Sequence, residues 1–481
     1  MTLRRATCVV LVVFALLAAK LAAAAPPNIV FILADDLGIN DLHCYGRADQ
    51  ATPHLDRLAS QGMRFTSAYC GLSICSASRA SLMTGKNCAR LHLTTFLPGR
   101  ANAKTQKLLH PVIKQQLPLE EVTIAERLKE AGYATACIGK WHLGGKGFGP
   151  QDQGFDFVYA GQANTKPTED EGSKGEFDLT AAAEKFVEKN KDKPFFLYLP
   201  HNSPHIAFSE RPENVEKFRD SFNPIYAAVI ESLDKSVGRL LAKLDELKLA
   251  DNTIVIFTSD NGGLHIPEGQ NTPATHNTPF RAGKGYLYEG GLRVPLIVRW
   301  PGKIKPTVVE TPVSNMDFHP TFCEFASVET PDDLDGTSIA PVLVGKEEFP
   351  ERSFYWHFPH YTNQGSQPAG AMRKGRWKMI AHYATGRVEL FDLEKDPSEK
   401  MDIAALHVDL TAKLHTEFEA WRKKSGVQLN VPNPDFDSKA ADAIYKDFDT
   451  SSLPQADKAS ELAKRLRPWR ELMNEAIRPK R

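Results

Sequence analysis

Five apolar runs of strand length, at residues 28–33, 133–138, 195–199, 253–258 and 294–300, alternate with amphipathic stretches along the first 300 residues. Strands covered on both faces lose their polar alternation, so this order dictates an α/β sheet with helices on both sides. Residues 53–61 predict a helix stopped by Gly62, and Thr123 caps another that ends at Gly132. Residues 178–190 and 225–247 are also predicted helical. In the latter, Ile230, Leu233, Val237, Leu240, Leu244 and Leu247 share one face. At 481 residues the chain exceeds the roughly 250–300 that one core supports. The reading is a main domain over 26–348 and a smaller C-terminal α+β subdomain over 349–425. The latter holds strand-like pieces at 377–382 and 388–393 and a helix over about 403–424. Residues 426–481 are polar and Pro-interrupted and read as a partly ordered tail.

Residues 1–25 read as an export signal. Arg4 and Arg5 precede an apolar run over 8–19, and small residues at 22–25 offer a cleavage site. The run is shorter than the ~20 residues a spanning helix needs, and Lys20 interrupts it. The mature protein is therefore expected to be exported, periplasmic or secreted, with no stable membrane span. The absence of any Asn-x-Ser/Thr sequence favours a bacterial source. Lys+Arg and Asp+Glu number 59 each, so no basic excess points to nucleic acid or an anionic membrane. Of seven cysteines, Cys8 leaves with the signal. The six that remain are too sparse for a disulfide scaffold, although one bridge is allowed.

The residues directly after each apolar run carry the chemistry. The run at 28–33 leads into Asp35 and Asp36. The run at 133–138 leads into Lys140 and His142, that at 195–199 into His201 and His205, and that at 253–258 into Asp260 and Asn261. Ligands of open α/β sheets bind beyond the carboxyl ends of the strands, so parallel strands would gather these groups in one pocket. Either Asp-Asp or Asp-Asn alone reads as ordinary turn chemistry. Both together, each directly after a buried strand, are hard oxygen donors suited to calcium or magnesium. The segment 75–85, CSASRASLMTG, predicts a short helix with Cys75 at its N-terminus and Arg79 one turn on. On these residues alone it reads as a reactive thiolate beside an arginine. A cysteine phosphatase has a similar loop but needs no carboxylate pairs. Lone lysines and histidines are usually solvated or satisfied residues, and for His201 that reading is preferred. The aromatic segment 356–360 reads equally as pocket lining or as a packed strand.

The motif CSASRASLMTGK, with ADDLG at 34–38, GKWHLG at 139–144, SPH at 203–205, SDNGG at 259–263 and GKGYLYEGGLRVPLIVRWPG at 283–302, resembles the sulfatase family of arylsulfatase type. The resemblance runs over about 27–425 and implies an alkaline-phosphatase-like fold with a large mixed, mostly parallel sheet. It implies hydrolysis of organic sulfate esters, with a sulfated small molecule or glycan as substrate. It further implies that a formylglycine-generating maturation enzyme oxidises Cys75 to formylglycine (3-oxoalanine). One hydroxyl of the hydrated aldehyde would attack sulfur, and the other would later expel sulfate. By the same resemblance Asp35, Asp36, Asp260, Asn261 and residue 75 hold one calcium ion, with magnesium as the alternative. Arg79 holds the formylglycine, and His142 deprotonates its second hydroxyl. Lys140, Lys284 and His205 bind the sulfate, and His205 and Lys284 are the candidate acids for the leaving alcohol. The third motif position is Ala77, where many maturation systems prefer proline.

Two other readings stay open on the sequence. One is a phosphodiesterase or phosphonate hydrolase of the same superfamily, although these often carry two metals and a Ser or Thr nucleophile. The other is a non-catalytic binder of sulfated glycans, which would be expected to have lost a key residue; none is missing. Specificity is expected in the loops at 101–117, 161–175 and 263–280.

Overall fold

The computed structural model describes residues 26–168, 172–346 and 349–477. The expected export signal lies outside the described residues. In chain order the strands are β1 (Asn28–Ala34), β2 (Met63–Tyr69), β3 (Leu108–Leu109), β4 (Ala134–Ile138), β5 (Phe157–Tyr159), β6 (Phe195–Pro200), β7 (Thr253–Ser259), β8 (Arg293–Arg299), β9 (Thr307–Val309), β10 (Val313–Ser314), β11 (Ser353–Phe358), β12 (Ala369–Lys374), β13 (Trp377–His382), β14 (Val388–Asp392) and β15 (Val431–Pro432).

The main sheet runs β10-β2-β8-β7-β1-β6-β4-β5, with β9 also paired to β2. β1 lies parallel between β6 and β7, and β4 is parallel to β6 and β5. β8 runs antiparallel to both of its neighbours, which makes the sheet mixed. Both faces of β1 are buried, Ile29, Phe31 and Leu33 in one core and Val30, Ile32 and Ala34 in the other. Helices form those cores. Thr123 caps Ile124–Glu130 through a reciprocal box with Glu126, its own N–H donating to Glu126 Oε2 at 2.7 Å. Asn223 and Pro224 start the long helix Pro224–Glu246, whose Asp234 accepts the N–H of Leu55 at 2.8 Å and so anchors the helix Pro53–Gln61.

The C-terminal subdomain is the antiparallel sheet β11-β12-β13-β14 backed by the helix Val408–Lys424. Of its strands β12 is not expected from the sequence, because its Ala-Gly-Ala-Met-Arg-Lys lacks a β-branched or aromatic signal, whereas β11 takes in the start of the aromatic segment 356–360 that reads equally as a packed strand. Buried Lys378 fastens this sheet to the main domain by an ion pair to Glu289 at 2.9 Å, and pairs within the subdomain with Glu399 at 2.8 Å.

The segment expected as a partly ordered polar tail folds. β15 pairs with β3 and so pins the 101–117 loop. The helices Ser438–Tyr445 and Ala459–Ile477 pack onto the main domain. Leu462, Leu466, Trp469 and Met473 form a buried stripe at helical spacing, and Trp469 is fully buried, its Nε1 donating to Ile444 O. Pro468 and the charged outer face hide this stripe from a reading of composition. All six cysteines from Cys44 onward are free thiols. Among the described residues no helix is long and apolar enough to cross a membrane.

Candidate functional site

The helix Cys75–Thr84 is buried along its whole length. Small residues allow this, and its serines bond outward to the loops that wrap it. Ser76 Oγ accepts the N–H of Leu97, Ser78 the amide of Asn315, and Ser81 the N–H of Cys88. The helix ends at Gly85, whose φ of 67° suits glycine and whose missing side chain leaves room for His319. No side chain caps its N-terminus, where Cys75 stands.

Parallel pairing of β1 with β7 sets Asp35 and Asp36 beside Asp260 and Asn261. The N–H of Asp260 donates to Ala34 O at 3.1 Å, and that of Asp36 donates to Asp260 Oδ1 at 3.1 Å. Asp36 takes a left-handed φ of 65°, turning the chain sharply at the strand end. Cys75 Sγ lies 3.5 Å from Asp35 Oδ1 and 3.7 Å from Asp36 Oδ1. Ligand atoms of Asp35, Asp36, Cys75 and His205 all lie within 4.8 Å of one another. Asn261 Nδ2 donates to Asp36 Oδ1, while Asn261 Oδ1 is buried with no hydrogen-bond partner. A hard cation is the species this oxygen-rich cluster fits, and the orphaned amide oxygen is the kind of donor it takes.

Cations surround the acids. Lys140 donates to Asp35, and Lys284 Nζ donates to Asp36 Oδ2 at 2.6 Å. His205 Nε2 is 3.5 Å from Asp36 Oδ2. Arg79, fully buried, gives Nε to Asp260 Oδ2 at 2.9 Å and Nη1 to Lys140 O at 2.7 Å. Burial works to raise Asp35, yet Lys140, His205, Arg79 and Lys284 hold it well below the usual carboxylate range. Burial, reinforced by Asp35, pushes Asp260 up. Burial also pushes the Cys75 thiol well up, against the pull of Lys140 and Lys284. The thiolate reading of the sequence is thereby disfavoured: Arg79 is engaged by Asp260 and Asp35, and the carboxylates oppose a second negative charge.

The structure thus brings together Asp35, Asp36, Cys75, Arg79, Lys140, His205, Asp260, Asn261 and Lys284. His142 stands at the edge, with a left-handed φ of 59°. Its Nε2 is 3.0 Å from Leu97 O and its buried Nδ1 has no partner. Burial, with Lys140 adding to it, pushes His142 down to about 4.

Two further residues were missed by sequence reasoning. Lys174 and Glu176 follow the 161–175 loop and are almost wholly buried. Glu176 accepts the Ser203 hydroxyl and the Lys174 N–H, and burial pushes it up to about 7. Lys174 Nζ donates to Asn164, and burial pushes it down to about 8 although Glu176, Asp35 and Asp36 oppose this. In sequence they look like any solvated loop-and-helix start. His201 is a packing residue, buried with Nε2 3.4 Å from Ser236 Oγ. The 356–360 segment forms a packed aromatic strand end. Trp356 Nε1 donates to Cys70 O, His357 bridges Tyr383 and Gln428 O, and His360 pairs with Thr94.

The family model described as Sulfatase matches residues 27–328, and that of the N-sulphoglucosamine sulphohydrolase C-terminal region matches 282–424. Human arylsulfatase A is 34% identical over 425 residues, covering 79% of this chain and 80% of that protein. The N-acetylgalactosamine-6-O-sulfatase of Bacteroides thetaiotaomicron is 30% identical, covering 82% and 93%. The crystal structure of Ps i-CgsB is 30% identical with a TM-score of 0.72, covering 82% of this chain and 92% of that one. Its complex with k-i-k-neocarrahexaose gives 0.71. With this sheet, this cluster and these relatives, the chain belongs to the sulfatase family of enzymes.

Proposed function

We propose that the enzyme removes sulfate from a sulfated carbohydrate, using formylglycine made from Cys75 and one calcium ion, with magnesium as the alternative. Asp35, Asp36, Asp260, Asn261 and residue 75 would hold the ion. The observation that carries this is the buried, partnerless Asn261 Oδ1 in an acid cluster whose Asp35 lies 3.5 Å from Cys75 Sγ. The hydrated aldehyde supplies one hydroxyl to attack sulfur and a second to release sulfate, while the ion supplies positive charge for the sulfate oxygens.

The chain's own residues do the rest. Arg79 fixes Asp260 and the Lys140 carbonyl, holding the strand ends in register around residue 75. Lys140, Lys284 and His205 offer N–H donors to the sulfate oxygens, where charge develops in the transition state. Asp260 takes a proton from the attacking hydroxyl. His142, held neutral near pH 7, takes the proton whose loss expels sulfate, and Lys284 or His205 protonates the leaving alcohol. Cys75 is only 2% exposed, so its maturation enzyme has to act before the chain folds.

The test compares kcat/KM for 4-nitrophenyl sulfate and bis(4-nitrophenyl) phosphate on matured protein. A clear preference for the sulfate is expected; a clear preference for the phosphate diester overturns the reading. Unmodified cysteine at position 75 in protein from its own host would instead support a non-catalytic glycan binder.

A further inference from the structure

Glu176 is fully buried at the start of the helix Glu176–Lys189, and its two carboxylate oxygens hold two different pieces of chain. Oε1 accepts the hydroxyl of Ser203, and Oε2 accepts the N–H of Lys174 at 2.9 Å. Its backbone is fixed as well. Glu176 O accepts from Thr180 Oγ1 at 2.7 Å and from Ser236 Oγ at 3.4 Å, and Ser236 belongs to the long helix Pro224–Glu246. Gly172 packs so closely that a Cβ there would run into Glu176 Oε2. The carboxylate is therefore held against Ser203 from behind.

Ser203, itself fully buried, links this carboxylate to the acid cluster. Its carbonyl accepts the N–H of Asp35 at 2.8 Å. Two residues on, His205 closes the same turn by donating its N–H to Asn202 O at 3.1 Å, and its Nε2 lies 3.5 Å from Asp36 Oδ2. Ser203 is thus fastened on one side by Asp35 and on the other by Glu176. Two fixed points set the orientation of the turn, and with it the direction of the His205 ring. A buried carboxylate is a costly anchor, and burial pushes Glu176 up to about 7. What it supplies is a pair of acceptors, one for a hydroxyl and one for a main-chain N–H that would otherwise be buried unpaired.

We infer that Glu176 is a positioning residue for sulfate release: acting through Ser203, it holds the 202–205 turn so that His205 faces Asp36 and the sulfate. Glu176 itself touches neither substrate nor ion. The inference rests on the proposed role of His205 as a sulfate ligand.

The test measures kcat and KM for 4-nitrophenyl sulfate, per formylglycine, in Glu176→Ala, Glu176→Gln, Ser203→Ala and the Glu176→Ala/Ser203→Ala double variant. Glu176→Ala and Ser203→Ala should each lose about 10- to 100-fold in kcat, the size of loss that follows a small misplacement of a reacting group. KM should change little, because Lys140 and Lys284 still bind the sulfate in the ground state. Glu176→Gln should keep most of kcat, since its amide can accept the Lys174 N–H and donate to Ser203 Oγ. The double variant should be no slower than the slower single one, because both cuts sever one link. Wild-type kcat in Glu176→Ala or Ser203→Ala, a Glu176→Gln as slow as Glu176→Ala, or losses that multiply in the double variant overturns the proposal. If Glu176→Ala does not fold, Ser203→Ala, which removes only a hydroxyl, decides. The His205 ring gives a reading independent of turnover. In protein carrying isotope-labelled histidine, with the signal identified by its loss in His205→Gln, the ring resonances should move in Ser203→Ala and Glu176→Ala and stay in place in Glu176→Gln. If the wild type releases no sulfate, the sulfatase reading of the site fails. Ring resonances that move in Ser203→Ala then still support the positioning role, and unmoved ones overturn it.

Discussion

Arg79 reaches Asp260 with two of its nitrogens, Nε and Nη2, each 2.9 Å from Asp260 Oδ2, and leaves Cys75 one turn behind it. Both side chains are buried. The arginine therefore stabilises the end of β7 and the acid cluster, and its effect on residue 75 runs through them.

Removing that arginine strands two buried carboxylates. Arg79→Ala is expected to cost about 3–5 kcal/mol of stability and to abolish sulfate release. Arg79→Lys keeps the charge without the fork and should lose less. Chemical denaturation with parallel activity assays checks both.

A cation that fits the cluster binds the folded chain only, so it must raise stability. Calcium at a hundred times its Kd should add about 2.7 kcal/mol. A chelator should reverse the gain, and Asn261→Ala should shrink it, since its side-chain oxygen is the unpaired donor. Calorimetric melting with and without calcium measures this.

The C-terminal helix should behave as part of the core. Trp469→Ala removes a fully buried ring that bonds to Ile444 O and should cost about 3–5 kcal/mol. A mutant as stable as the wild type in denaturant titration would show that the 438–477 segment is dispensable.

Glu176 gives a pH signature. Its folded pKa of about 7 lies above the roughly 4.3 of an exposed glutamate, because burial disfavours its charge. The folded state then holds a proton that the unfolded state has lost, so stability falls as pH rises from about 4.3 to about 7 and stays reduced above that. Glu176→Gln escapes this penalty. Melting at pH 8 should show it more stable than wild type, by about 4 kcal/mol at most, with the difference vanishing near pH 4.

Strand ends were legible because a two-sided buried strand announces itself, and the residues after β1, β4, β6 and β7 had nowhere to go but one edge of a parallel sheet. Asp35, Asp36, Asp260 and Asn261 could thus be grouped from the sequence alone. The relation of Arg79 to Asp260 was not legible, since i to i+4 spacing favoured Cys75 and only the packing of β7 offered a better partner. Lys174 and Glu176 carried no signal, because their burial depends on the loop ahead of them. The stripe Leu462, Leu466, Trp469 and Met473 was readable in principle at helical spacing, but Pro468 and the many charges around it argued for a tail.

The nucleophile we propose is residue 75 in oxidised form. Protein produced with graded supply of a maturation enzyme should be assayed for sulfate release and analysed by mass spectrometry of the peptide spanning residue 75. Sulfate release should rise in proportion to the fraction of formylglycine, on a line through the origin, with none in Cys75→Ala. Full activity in protein whose Cys75 remains a thiol would contradict it.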